Sequence, residues 1–315
     1  MFCIFERDFV FLRNFVGGQN MRYLIVMLCS FQYLIFAEDI HFLGVSIEKY
    51  ACPLIQSLPG FHKDVDKIVG ILEKQNPEIK VTILKDEKAT GLMIIAALES
   101  VLSSAAPEST VIIFFNMHGY WTGSPNAGSH YLIPYDMEPF FWKESSVPFD
   151  RVVECLFKHG ANKRILLFMQ TCFSGQMVLD IKERNRKAKH LGPLALNQSE
   201  DPSLKIGVFT SSCFDEVSWA IVNIGGLFGI FVSRALSGAA DVDQNSKVDL
   251  GEIAAFVERN CEFFSLRFQN TSCYFSESLD NYCLSRYEIE ENTFVNEGSL
   301  QSLRTMFTKI RELLR

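Results

Sequence analysis

Positive charge is not in excess in this chain: 30 Lys and Arg face 37 Asp and Glu, a formal net charge of −7. A protein that neutralises phosphates needs a basic face, so nucleic acid is excluded as the expected partner. None of the nine cysteines stands in a Cys-x-x-Cys pair, which removes the usual zinc-ribbon spacings. Internal repeats and low-complexity tracts are missing, and with them solenoid, collagen-like and disordered architectures. The apolar run YLIVMLCSFQYLIFA, residues 23–37, falls short of the roughly 20 residues that span a bilayer. What the chain does have is 48% apolar and 21% charged residues, the balance of a core-forming protein. Its 315 residues allow one large domain or two of about 150.

Met21-Arg22 precedes that apolar run, and Ala37 is followed by Glu38-Asp39. A short positive start, an apolar stretch and a small residue before acids describe a signal peptide. Residues 1–37 are therefore expected to be a leader and the remainder exported, without stable membrane insertion once the leader is removed. A signal anchor, or a buried first strand in a cytoplasmic protein, fits the same residues. Seven cysteines follow residue 37, and an odd count leaves a free thiol beside any pairs. Cys261, Cys273 and Cys283 cluster in sequence, which suits disulfides; scattered buried thiols are the alternative. Asn197 and Asn270 open glycosylation sequons, meaningful on a eukaryotic secretory route.

Beyond the leader, strand-like and helix-like segments alternate. HFLGVS (41–46), IKVTIL (79–84), VIIFF (111–115), ILLFM (165–169) and IGVFT (206–210) read as strands. Helical spacing covers 58–72, 89–102 with Thr90 as a cap, 152–158 and 227–236. Such alternation predicts an α/β fold, a mainly parallel sheet with helices on both faces. Continuous apolar runs such as VIIFF are what a strand covered on both faces requires. Residues 176–204 are polar and basic in the middle (KERNRKAKH) and read as a long loop. The end of the chain, SLQSLRTMFTKIRELLR, is an amphipathic helix candidate.

In open parallel sheets, ligands sit beyond the carboxyl ends of the strands. VIIFF is followed by Asn-Met-His118-Gly119, and ILLFM by Gln170-Thr-Cys172-Phe-Ser-Gly. Adjacent strands would bring His118 and Cys172 to one rim. A cysteine–histidine pair is the minimum for thiol nucleophilic catalysis, with imidazole taking the thiol proton and returning it to the leaving amine. The N–H groups of Gly119 and Cys172 are candidate oxyanion donors.

VIIFFNMHGYWTGSPNAGSHYLIPYD and RILLFMQTCFSG resemble the His and Cys segments of the caspase-like cysteine peptidases, a superfamily of caspases, metacaspases, paracaspases and bacterial relatives. SLPGFHKDVDKIVGIL resembles the family's first helix, FTSSCFDEVSWA the segment after a later strand, and GGLFGIFVSRALSGAADVDQNSKVDLGEIAAFV its last helices. The resemblance covers about residues 41–260. It implies the caspase-hemoglobinase-like fold, a peptidase domain over 38–260 and a C-terminal extension over 261–315. It also implies cysteine-type endopeptidase activity on a protein or peptide, with Cys172 as nucleophile and His118 as general base and acid, and with no third member required. Residues 176–204 would then be a linker between two parts of the peptidase, with Lys182, Arg184, Arg186, Lys187 and Lys189 as self-cleavage sites.

The arginines with which caspases bind a substrate Asp are absent: Leu58-Pro59-Gly60 and Ser218-Trp219-Ala220 stand there. Metacaspases hold Arg or Lys with acids. Gln170 replaces one of these, and Asp215 and Glu216 occupy the neighbourhood of the other, with Ser212 beside them. Cleavage after Arg or Lys is expected, with Gln170, Ser212, Asp215 and Glu216 binding substrate. No cofactor is required by this chemistry. Asp241, Asp243, Asn245, Lys247, Asp249 and Glu252 have the spacing of a calcium loop, with Ser246 where the turn wants Gly. A polar turn capping the helix from Leu250 explains the same acids. Two rival functions stand beside the peptidase: an inactive scaffold of this fold that binds a protein partner, and a calcium-responsive binding module.

Overall fold

The computed structural model describes residues 38–123, 128–191, 204–279 and 282–287, and scattered positions between 301 and 312. The expected leader, residues 1–37, lies outside the described residues, as do residues 192–203 with Asn197. Six strands form the main sheet: β1 (Ile40–Ser46), β2 (Lys80–Lys85), β3 (Thr110–Asn116), β4 (Arg164–Gln170), β5 (Lys205–Thr210) and β6 (Ser272–Phe275). Their spatial order is β6-β5-β4-β3-β1-β2, parallel except for β6, which runs antiparallel to β5.

The continuous apolar runs are explained by two cores, one on each face. Leu43, Val45, Val111, Ile113, Phe115, Ile165, Leu167 and Met169 point to one side. There they meet α2 (Gly91–Ser104), α3 (Phe149–His159) and α4 (Gly175–Leu191) through Leu98, Val152, Leu156, Met177 and Ile181. Their sequence neighbours Phe42, Ile112, Phe114, Leu166 and Phe168 point the other way. These pack on α1 (Phe61–Gln75), α5 (Leu227–Arg234) and α6 (Leu250–Ser265) through Val65, Ile68, Phe228, Phe231 and Ile253. Period-two alternation of residues that are all apolar is what a doubly covered strand requires. The α/β architecture expected from the sequence is the one observed.

Three expectations need correction. The segment from 176 is not a loop: α4 runs to Leu191. Met177, Val178, Ile181 and Asn185 are buried on one face at helical spacing, while Lys182, Arg184, Arg186 and Lys187 are exposed on the other. Glu183 pairs with Arg186 and Lys187 three and four residues on, so the basic run stabilises a helix. The boundary expected at 260 falls inside α6, and β6 beyond it completes the sheet edge. The described residues between 301 and 312 are helical as expected, with Arg304 3.6 Å over the Phe263 ring. All seven described cysteines are free thiols, with Cys261 buried in the core and Cys273 exposed, so the disulfides expected near the end of the chain are not formed.

Candidate active site

Strands β3 and β4 pair in register from Thr110↔Arg164 to Asn116↔Gln170. The Met117 N–H then reaches the Gln170 carbonyl (3.3 Å), so the two chains leave the sheet side by side. Two residues further on, His118 and Cys172 stand on facing segments of one rim, both half-buried.

The imidazole of His118 is held from two sides. Its Nε2 lies 2.8 Å from the Gln56 carbonyl. A carbonyl only accepts, so the proton is on Nε2 and Nδ1 is the free base. Its ring stacks on Tyr50 at 5.4 Å, and the His118 backbone N–H donates to the Tyr50 hydroxyl (2.9 Å). Neither Gln56 nor Tyr50 was found from sequence. Gln56 acts through its carbonyl, which every residue type carries, and no residue signal marks it.

The turn that carries Cys172 is tightly built. Phe173, directly after Cys172, has φ +60°, a left-handed conformation costly for a bulky residue. It is held by its N–H to the Glu216 carbonyl (2.9 Å), and Ser174 bonds Ser212 side chain to backbone in both directions (3.3 Å). At Gly175 a Cβ would lie 2.8 Å from the Cys213 backbone, so only glycine admits this approach. Gly119 is equally constrained, 2.7 Å from the Cys172 carbonyl for the same added atom. The His118 carbonyl accepts from Ile133 (3.0 Å), which makes Gly119↔Leu132 the non-hydrogen-bonded pair of that antiparallel ladder. The Gly119 N–H therefore points away from its hairpin partner. The N–H groups of Ser218 and of Cys172 itself face the sulfur. Burial pushes the Cys172 thiol up against these donors, and burial pushes the His118 imidazole down against its bond to Gln56. Both shifts favour the uncharged forms.

The expected substrate-binding residues are dispersed. Gln170 is fully buried, its amide donating to Asp64 (2.8 Å) and Asn116 (2.6 Å) and accepting from the Gly229 N–H. Both amide protons are spent, so it offers nothing to a substrate side chain. Ser212 is also buried and accepts or donates within the turn that carries Cys172. Glu216 is committed too: its carboxylate accepts from the Asn270 backbone (2.7 Å) and side chain and from the Cys213 N–H (3.3 Å). That engagement also occupies the amide of the Asn270 sequon. Asp215 alone of the four is exposed. Glu216→Ala orphans these donors and is expected to cost about 2 kcal/mol of stability, read by chemical denaturation.

A family model described as the caspase domain matches residues 43–283. The chain belongs to the caspase domain family. It is a family of cysteine peptidases. Among solved structures, this caspase domain is similar to a protein of Geobacter sulfurreducens (TM-score 0.56, 12% identity, 79% of this chain and 100% of that one). It is also similar to caspase-1 of Spodoptera frugiperda (TM-score 0.54, 13% identity, 76% and 87%). At these identities the likeness concerns the fold. No curated protein matches the sequence.

Sequence reasoning also passed over His130 of the caspase domain. It is 3% exposed, with Nε2 3.0 Å from the Cys172 carbonyl. Through that carbonyl it holds the peptide that follows Cys172. Burial lowers its pKa to about 4, which favours the neutral ring, and its Nδ1 has no hydrogen-bond partner among the described residues. As a lone histidine in a polar stretch (GSHYL) it gave no motif.

The candidate calcium loop is a partial fit. Asp241, Asp243 and Glu252 place carboxylate oxygens within 4.8 Å of one another. Ser246 takes φ +62°, as a glycine would there. Yet Asp249 is turned away to cap α6, accepting from the Glu252 N–H (2.8 Å). Glu252 returns a bond to the Asp249 N–H (3.1 Å) and another to Val242 (3.0 Å). The Asn245 amide donates to Asp243 (2.8 Å) and its oxygen accepts from Lys247 N–H (2.8 Å). The hydrogen bonds are those of a self-satisfied turn and capping box. Asp249→Ala in chelator is expected to cost about 1 kcal/mol through the lost cap alone, measured by thermal unfolding.

Proposed function

We propose that this caspase domain is a cysteine endopeptidase, with Cys172 as nucleophile and His118 as general base and acid. The observation that carries the reading is the register of β3 and β4, which sets His118 opposite Cys172 while the Gln56 carbonyl fixes the tautomer with Nδ1 free. Nδ1 takes the thiol proton as sulfur attacks the scissile carbonyl, and the tetrahedral oxyanion is met by the Gly119 and Cys172 N–H groups. The imidazolium then protonates the departing amine as the C–N bond breaks. Water attacks the thioester with His118 again as base, and thiol is regenerated.

A basic residue before the scissile bond is our reading of specificity. Asp215 supports it as the exposed carboxylate on the segment that also supplies Glu216 to the nucleophile turn, whereas Leu58 and Ala220 offer nothing to an acidic side chain. The test is a panel of peptides ending in Arg, Lys, Asn or Asp, with and without calcium. Turnover after Arg or Lys is expected, falling about fivefold in Asp215→Ala as an exposed charge pair of about 1 kcal/mol is lost. No turnover on any peptide would leave the partner-binding scaffold as the reading.

A further inference from the structure

Beside His118 lies an apolar cleft of about 420 Å³. Ile55, Ile133, Met137, Tyr120 and Trp142 line it together with the imidazole itself. The Trp142 indole in its lining meets Tyr120 (4.9 Å) and Tyr131 (5.3 Å) edge-on. Phe140 and Phe141, next in sequence to the Pro139 that closes one side, are 91% and 61% exposed. Large aromatic rings left in water around a preformed hollow mark a binding surface better than they serve a core.

The position of the cleft identifies the occupant. A peptide across the site is divided at the sulfur: its acyl half stays on Cys172 and its amine half departs on the side of the group that protonates it. That group is His118, and the cleft shares His118 as a wall. The segment that meets the sulfur from elsewhere, through the Ser218 N–H, takes no part in the lining. Among the described residues, none of the side chains lining the cleft carries a carboxylate, guanidinium or ammonium group. We infer that the cleft is the subsite for the first residue after the scissile bond, and that it selects a large apolar or aromatic side chain there. The inference rests on the peptidase reading and adds the leaving-group side to it.

The test uses two internally quenched peptides that share the acyl half selected by the panel above and differ only in the next residue, Phe or Gly. The full chain is expected to cut the Phe peptide at least tenfold faster in kcat/KM. Trp142→Ala should bring that ratio near one, and Ile55→Trp, which fills the cleft from the other wall, should invert it in favour of Gly. Equal rates for Phe and Gly in the unaltered chain, or a Phe preference that survives both substitutions, would overturn the inference alone. Labelling of Cys172 by a peptidyl chloromethyl ketone, which reaches only the acyl side, is run in parallel on the unaltered chain. Failure of both cleavage and labelling removes the peptidase reading and this subsite with it.

Discussion

Cys172→Ala is expected to lower kcat by about four to six orders of magnitude, and His118→Ala by nearly as much, because two groups that act as a unit fail together. The pH profile carries further information. Burial holds the thiol above and the imidazole below their ordinary values, so a resting site of thiol and neutral imidazole is expected. Turnover should therefore rise with pH along an acid limb set by His118, below the 6.5 of a free histidine. It should then hold a plateau until the thiol itself ionises. Alkylation of Cys172 by iodoacetamide, followed by mass spectrometry to separate it from exposed Cys273, should show an alkaline midpoint and no reactive shoulder at acid pH. Acid-side reactivity would mean that a thiolate exists at rest, and the general-base step would have to be abandoned.

The second large effect concerns stability and has two opposed sources. Asp64 lies beneath the site, 1% exposed, accepting from Gly226 N–H and the Gln170 and Asn116 amides. Burial raises its pKa from 3.8 to about 7. The folded state thus holds a proton that the unfolded chain releases, and stability falls as pH climbs from about 4 to 7. His130 is the reverse. Its pKa drops from 6.5 to about 4, so the unfolded chain takes up a proton that the folded one refuses, and stability falls as pH declines through the same window. At 1.36 kcal/mol per pKa unit, each slope is worth on the order of 3 to 4 kcal/mol. Relative to the unaltered chain, Asp64→Asn should gain stability as pH rises from 4 to 7, and His130→Gln should gain it as pH falls. Urea midpoints at three pH values decide the matter; parallel curves for either variant would show that its group does not titrate as described.

The fold was legible because its signal is redundant. VIIFF and ILLFM are apolar at every position, and only strands covered on both faces need that. The placing of His118 and Cys172 on one rim was legible for a related reason, since adjacent parallel strands end side by side. What escaped lacked residue-specific chemistry in one dimension. Gln56 contributes a carbonyl, Tyr50 a hydroxyl sixty-eight positions from the N–H it accepts, and His130 a ring nitrogen beside a backbone carbonyl. The basic segment after Cys172 was misread for a different reason. Charge was taken as the sign of a loop, while the inward spacing of Met177, Ile181 and Asn185 was already that of a helix. Glu216 shows the limit of neighbourhood arguments: the acid beside the expected pocket is there, but its oxygens were claimed by Asn270 from another part of the chain.

The outer strands of the sheet carry one more consequence. β2 begins and ends with lysine, and Lys80 is drawn to Asp39 while Lys85 is drawn to Asp66. On the opposite side β6 offers four residues and no more. Edges so charged or so short give an incoming strand few rungs to climb. Among the described residues, both borders of the sheet are thus poor templates for an added strand.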